Sequence, residues 1–142
     1  MVSPKNAPSG WSLSNQPSLL SRLLGWWSGG LRKRYLAEEL RRLKRILESD
    51  PESTSTYRDA GIVSGLLGDH HMAKNDLERA VELDPQDVEA WGNLGMALGM
   101  RGDHLDAIPC FARALELDPD DLNAWRGKEV ALGLLTARDR SR

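Results

Sequence analysis

Three histidines, one cysteine and a large set of carboxylates are the side chains of this chain that could do chemistry. His70 and His104 each follow an aspartate and lie 34 residues apart, and His71 adjoins the first. Histidines near carboxylates are the raw material of a zinc site or of general acid–base catalysis. The spacing speaks against a shared metal. Equivalent points on neighbouring helices sit roughly 8–10 Å apart, too far to share one metal ion, so these histidines read as exposed residues at helix starts. Cys110, the single cysteine, has no local His or Asn arrangement that would activate it and reads as a helix filler. It can form no internal disulfide and leaves the redox compartment undeclared. The glycines recur with a repeat rather than clustering into a phosphate-cradling loop. No catalytic residue, metal site or cofactor is expected, and the chain is read as not an enzyme.

The elements that would position these residues are set by internal repetition. Glu78-Arg79-Ala80-Val81-Glu82-Leu83-Asp84-Pro85 returns as Ala112-Arg113-Ala114-Leu115-Glu116-Leu117-Asp118-Pro119, and Asp50-Pro51 closes a weaker copy before them. Aligning residues 54–87 on 88–121 gives thirteen identities in 34 positions. Each unit predicts a first helix (52–67, then 86–101), a Gly-Asp turn, and a second helix (70–83, then 104–117). Gly68 and Gly102 suit the left-handed residue after a helix end, and Asp69 and Asp103 can cap the helix that follows. The Asp-Pro pairs stop each second helix, because the residue before proline avoids helical angles. Pro109 falls inside a helix, where it should kink it and remove the bond to Leu105.

Composition sharpens the division. Of eight aromatic residues five are Trp, and the net charge of −2 conceals an asymmetry. Residues 1–48 hold nine Lys/Arg against three Asp/Glu, a net of +6, whereas residues 49–142 hold ten against eighteen, a net of −8. A basic segment thus precedes an acidic module. Residues 1–17, rich in Pro, Ser, Gly and Asn with a lone Trp11, read as a flexible tail. Residues 18–28 read as a short amphipathic helix, with Leu19, Leu20, Leu23, Leu24 and Trp27 on one face, Trp26 at its edge and Arg22 opposite. Gly29-Gly30 should break it, making 18–30 a capping or anchor helix plus turn. So short a helix needs a surface to lie on. Leu31–Glu48 predicts a second helix with a Leu36, Leu40, Leu43, Leu47 stripe, and residues 31–53 then form a degenerate half-repeat. There is no apolar run long enough to span a bilayer, and the 19–27 stretch lacks a cleavage site. The expected location is cytoplasmic or peripheral on the cytoplasmic face of a membrane, not secreted.

Taken together these residues resemble the tetratricopeptide repeat. Its pattern of large aromatic, Gly, Ala, large apolar, Ala and Pro is met by Tyr57, Gly61, Ala73, Leu77, Ala80 and Pro85. It is met again by Trp91, Leu94, Gly95, Ala107, Phe111, Ala114 and Pro119. The resemblance implies an all-α fold, a right-handed superhelix of antiparallel helix pairs. Repeats would span 54–87 and 88–121, with a C-terminal capping helix over 122–137 and a tail over 138–142. A hairpin cannot bury its apolar face alone, so stacking is obligatory.

The resemblance further implies that the first helices line a concave groove for partner segments. Its positions here are Ser55, Arg58, Ile62, Gly65 and Leu66; Glu89, Gly92, Met96, Gly99 and Met100; and Asn123, Arg126, Val130, Gly133 and Leu134. Gly65, Gly99 and Gly133 repeat in register and leave a channel flanked by apolar side chains. Such a groove suits an apolar helix or an extended segment of a protein partner, with Met96 and Met100 supplying adaptability. It fits the chaperone-tail clamp of this family poorly, since Ile62 stands where Asn is expected and only Arg58 and Arg126 remain as donors. The expected function is a protein–protein interaction scaffold or assembly factor, with the Trp-rich N-terminal helix as a second contact. The alternative is a peripheral subunit held at an anionic lipid surface by residues 18–34. Nucleic acid is not an expected partner, because the repeat half is acidic.

Overall fold

The computed structural model describes the backbone of residues 19–141 and the side chains of residues 29–141. Those residues form six helices and no strand: α1 (Leu19–Ser49), α2 (Thr54–Leu66), α3 (His70–Leu83), α4 (Val88–Arg101), α5 (His104–Leu117) and α6 (Leu122–Arg140). The protein is all-α. The described residues divide into two units, 19–34 and 35–141. In the first unit the backbone is helical from Leu19 onward, and Gly29 to Arg34 are all exposed. The tail expected over 1–17 and the side-chain face expected for Leu19–Trp27 lie outside the described residues.

The expected break at Gly29-Gly30 does not occur; α1 passes through it as one 31-residue helix. Glycine inside a helix costs about 1 kcal/mol relative to alanine but does not forbid the conformation. Neither glycine meets a neighbouring atom within 4 Å, so no packing role replaces the lost turn. At the other end α6 also overruns its expected limit, taking in Arg138, Asp139 and Arg140.

The second unit is a stack of helix pairs, α2 with α3 and α4 with α5, followed by α6. Both intra-pair turns have one geometry. Gly68 and Gly102 sit at φ 88° and 90°. Asp69 N–H donates to the Ser64 carbonyl and Asp103 N–H to that of Leu98, each at 3.0 Å, closing the last turn of the preceding helix. Between pairs, Asp84 and Asp118 leave the helix in extended conformation. Their carboxylates then accept from the Gln86 and Asp120 amides at 2.9 and 3.0 Å. Trp91 and Trp125 donate their indole N–H to the Pro85 and Pro119 carbonyls, at 3.0 and 2.9 Å. The Asp-Pro pair therefore ends one helix and holds the Trp that begins the next pair.

Capping is uneven. Asp69, Asp87 and Asp121 accept from amides of the following helix, but Asp103 makes no cap bond. Its carboxylate lies 3.3 Å from Arg101 instead, which corrects the expected cap. Pro109 does not end α5, which runs unbroken from His104 to Leu117. Leu105, whose carbonyl loses its partner, is exposed.

Between the helices the core is mostly alanine. Ala60, Ala80, Ala90, Ala107, Ala114 and Ala124 have no exposed surface, which lets the helix axes approach closely. Leu77, Leu94 and Phe111 fill the spaces left between them. Gly61 and Gly95 sit where the expected close approach is tightest. A Cβ at Gly61 would lie 2.5 Å from Leu77, and one at Gly95 would lie 2.7 Å from the Phe111 ring. A Cβ on Gly127 of α6 would run into the same ring. From α1, Leu43 and Leu47 are buried, and Lys44 reaches both carboxylate oxygens of Asp76 on α3 at 2.6 and 2.7 Å.

Candidate partner groove

The first helices of the pairs, α2, α4 and α6, carry a row of large apolar side chains in solvent. Leu66, Met96, Met100, Val130 and Leu134 are each about half exposed or more, between 47% and 67%. Scattered exposed apolar residues need no explanation, but a contiguous row does. Between these helices lie two hollows. The first holds about 170 Å³ and is lined by Gly61, Ile62, Gly65, Leu66, His70, Ala73 and Leu77 on one side and Asn93, Met96, Ala97 and Met100 on the other. The second holds about 440 Å³ and is lined by Gly95, Met96, Gly99, Met100, His104 and Phe111, then Gly127, Val130, Ala131 and Leu134, with Asn123 and Arg126 at its edge.

The two linings are one pattern displaced by 34 residues. Ile62 becomes Met96, Leu66 becomes Met100, His70 becomes His104 and Leu77 becomes Phe111. On the far wall Asn93 becomes Gly127, Met96 becomes Val130 and Met100 becomes Leu134. Met96 and Met100 belong to both. The linings are open at their glycines: a Cβ on Gly99 would meet nothing within 4 Å, and one on Gly65 would only touch Ala73 at 3.7 Å.

This repeated architecture has counterparts among known proteins. A family profile described as tetratricopeptide repeat matches residues 88–121, and a second of the same description matches residues 60–87. Residues 60–121 are tetratricopeptide repeats. Solved repeat domains share the chain's fold. One is the first repeat domain of Spaghetti (RPAP3) bound to the HSP90 peptide SRMEEVD. It is 18% identical with a TM-score of 0.71, covering 77% of this chain and 86% of that one. The Sgt2 repeat domain from Aspergillus fumigatus is 20% identical with a TM-score of 0.72, covering 92% and 88%. The second repeat domain of human RPAP3, in complex with the HSP70 peptide SGPTIEEVD, is 19% identical with a TM-score of 0.65, covering 79% and 90%. No curated protein sequence matched the chain.

Within the repeats, most of the expected groove residues meet. Ile62, Gly65, Leu66, Met96, Gly99, Met100, Arg126, Val130 and Leu134 all line one hollow or both. Gly133 is exposed but lines neither. Arg58 also lines neither and is not a free donor. Its Nη1 is 2.8 Å from Asp87, the N-cap of α4, and its Nε lies 3.5 Å from Glu89 and 3.6 Å from Asp59. Burial by itself would lower the Arg58 pKa, but the hydrogen bond and charge of Asp87, aided by Glu89 and Asp59, raise it overall. Arg58 therefore ties one repeat to the next.

Sequence reasoning placed Asn123 in the groove but missed Asn93, His104, Phe111 and Gly127. The 34-residue register could have supplied His104 and Phe111, as counterparts of His70 and Leu77. Gly127 had no such signal, since its counterparts are Asp59 and Asn93. The histidines stand at opposite hollows, and among the described residues no group of three or more His, Cys, Asp or Glu could hold a metal ion. Cys110 is buried and donates to the Asp106 carbonyl at 3.4 Å. Burial, with smaller contributions from Asp106 and Glu78, pushes its thiol up to about 11. A thiol held protonated is a poor nucleophile.

Proposed function

We propose that this repeat protein is a non-catalytic interaction scaffold or assembly factor whose groove over α2, α4 and α6 takes an apolar or helical segment of a protein partner. The exposed row Leu66, Met96, Met100, Val130 and Leu134 above open glycines carries this reading. Two of the similar solved domains are complexes with peptides, which supports protein binding in general. Those peptides are acidic. Here the Arg58 guanidinium is already occupied by Asp87 and Ile62 is apolar, so an apolar segment suits the groove better than an acidic tail.

Burying one large side chain gives about 1.5–3 kcal/mol, while association costs several kcal/mol. The groove alone then binds weakly, and a second contact through residues 19–27 would raise avidity. Photo-crosslinking tests this directly, with a benzophenone side chain placed at Met100 or Val130 and at Leu105 as an exposed control outside both hollows. The groove positions should give one discrete protein adduct that Leu105 does not. Adducts of equal pattern from all three sites would contradict the proposal.

A second reading rests on a separate observation. Leu31 and Tyr35 are 48% and 67% exposed beside Arg32, Lys33 and Arg34, which are also exposed. Apolar side chains in a basic collar suit an anionic lipid surface. No described helix is long and apolar enough to cross a membrane, so this would be surface attachment. Flotation with phosphatidylserine vesicles at low salt, lost at high salt, is the expected result; absence of flotation at low salt rules the reading out.

A further inference from the structure

The two hollows repeat one pattern, and the differences between the copies constrain what fills them. We propose that the occupant is an amphipathic helix of a partner protein that seats two large apolar side chains seven residues apart, the larger one in the second hollow and a carboxylate beside Arg126. This rests on the groove being the docking site and specifies its ligand.

Spacing comes first. The hollows lie between successive first helices, so their centres are separated by about one helix spacing, roughly 8–10 Å. Side chains seven residues apart on a helix lie about 10.5 Å apart on one face. On an extended strand, same-face side chains recur at about 6.7 Å or 13.5 Å, which miss that interval on either side.

Size comes next. The second hollow holds about 440 Å³ against about 170 Å³ for the first. Asn93, held to the Glu89 carbonyl at 2.9 Å, narrows the first, and its counterpart Gly127 adds no side chain to the second. Met96 and Met100 replace the more rigid Ile62 and Leu66 on its near wall, so the wider hollow also has the more adaptable lining.

Charge sets the polarity. Arg58 and Arg126 occupy the same repeat position, but Arg58 is held by Asp87, the cap of the next first helix. Arg126 is exposed at the edge of the second hollow and joins no ion pair among the described residues. An acidic residue about one helical turn from the larger anchor would complete it.

Fluorescence anisotropy with full-length protein and labelled 18-residue Ala/Gln-based helical peptides tests all three elements. The lead peptide carries Leu and Phe seven residues apart and Glu four residues beyond Phe. Moving Phe to a five-residue spacing should weaken binding on the order of tenfold, about one lost anchor. Val130→Trp, which fills the second hollow, should have a similar effect, and Asn93→Ala should let the Phe-first peptide bind as well as the Leu-first one. Arg126→Glu should reverse the preference between the Glu peptide and its Lys counterpart. All four sites are solvent-accessible or at the groove wall, and circular dichroism confirms that each variant is folded. Binding that ignores spacing, Val130→Trp and Arg126→Glu, yet is lost in Gly99→Leu, would overturn this inference and leave the groove as a docking site. Failure of every peptide to bind, or binding that survives Gly99→Leu, would overturn both.

Discussion

Glycines with the same repeat periodicity do opposite jobs in this protein, and substitution separates them. Gly95 has the Phe111 ring 2.7 Å from where a Cβ would stand. Gly95→Leu should overpack that contact and destabilise by about 1–3 kcal/mol. Gly99, one turn on, has nothing within 4 Å, and replacing a helical glycine removes up to about 1 kcal/mol of propensity cost. Gly99→Leu should therefore melt at or above the wild-type temperature while obstructing the second hollow. Thermal denaturation of the pair distinguishes a packing glycine from a groove glycine; equal losses would contradict the assignment. Cys110 gives a second residue-scale test. Its thiol is raised from 9.0 to about 11 in the folded state, so its contribution to stability is complete below about 9 and is lost as pH rises through 11. The stability of Cys110→Ala should fall less steeply than wild type over that window in urea titrations. Alkylation of the native thiol at pH 8 should be slow until denaturant is added.

At the scale of elements, the Arg58–Asp87 pair is the joint between repeats. Asp87 caps α4 through the Ala90 amide at 3.0 Å and also receives Arg58 from α2 at 2.8 Å. Asp87→Ala removes both, and loss of the cap accounts for about 1 kcal/mol. A double-mutant cycle with Arg58→Met should give a coupling of about 0.5–3 kcal/mol; a coupling near zero would mean the ion pair does not join the repeats. Much of this layer was legible in advance. The Asp-Pro spacing located four of the helices to within two residues, because proline and left-handed glycine act locally. What was not legible depends on tertiary contacts or on weak local costs. Gly29-Gly30 reads as a break, but two glycines impose only a modest penalty, which α1 absorbs. Arg58 reads as a groove donor from its repeat position, and only the folded α2–α4 junction shows that Asp87 claims it. Gly127 was invisible because its partner is a ring 16 positions away in another repeat.

At the scale of the whole molecule, an acidic repeat array with an apolar groove follows a basic, Trp-rich segment, and neither contact alone need bind tightly. Replacing Leu20, Leu24 and Trp27 together by Ser in the full chain should lower partner affinity by tenfold or more through lost avidity, leaving the melting temperature of the array unchanged. Unaltered affinity would assign all binding to the groove. The four methionines give the most direct reading of the central claim, that a partner segment docks over α4. Met96 and Met100 line the hollows, whereas Met72 is exposed on α3 outside both. In a methyl-labelled methionine NMR titration with the Leu/Phe helical peptide, the Met96 and Met100 signals should shift together and saturate while Met72 stays in place. Shifts at Met72 with Met96 and Met100 unmoved would place the docking surface elsewhere and contradict the account.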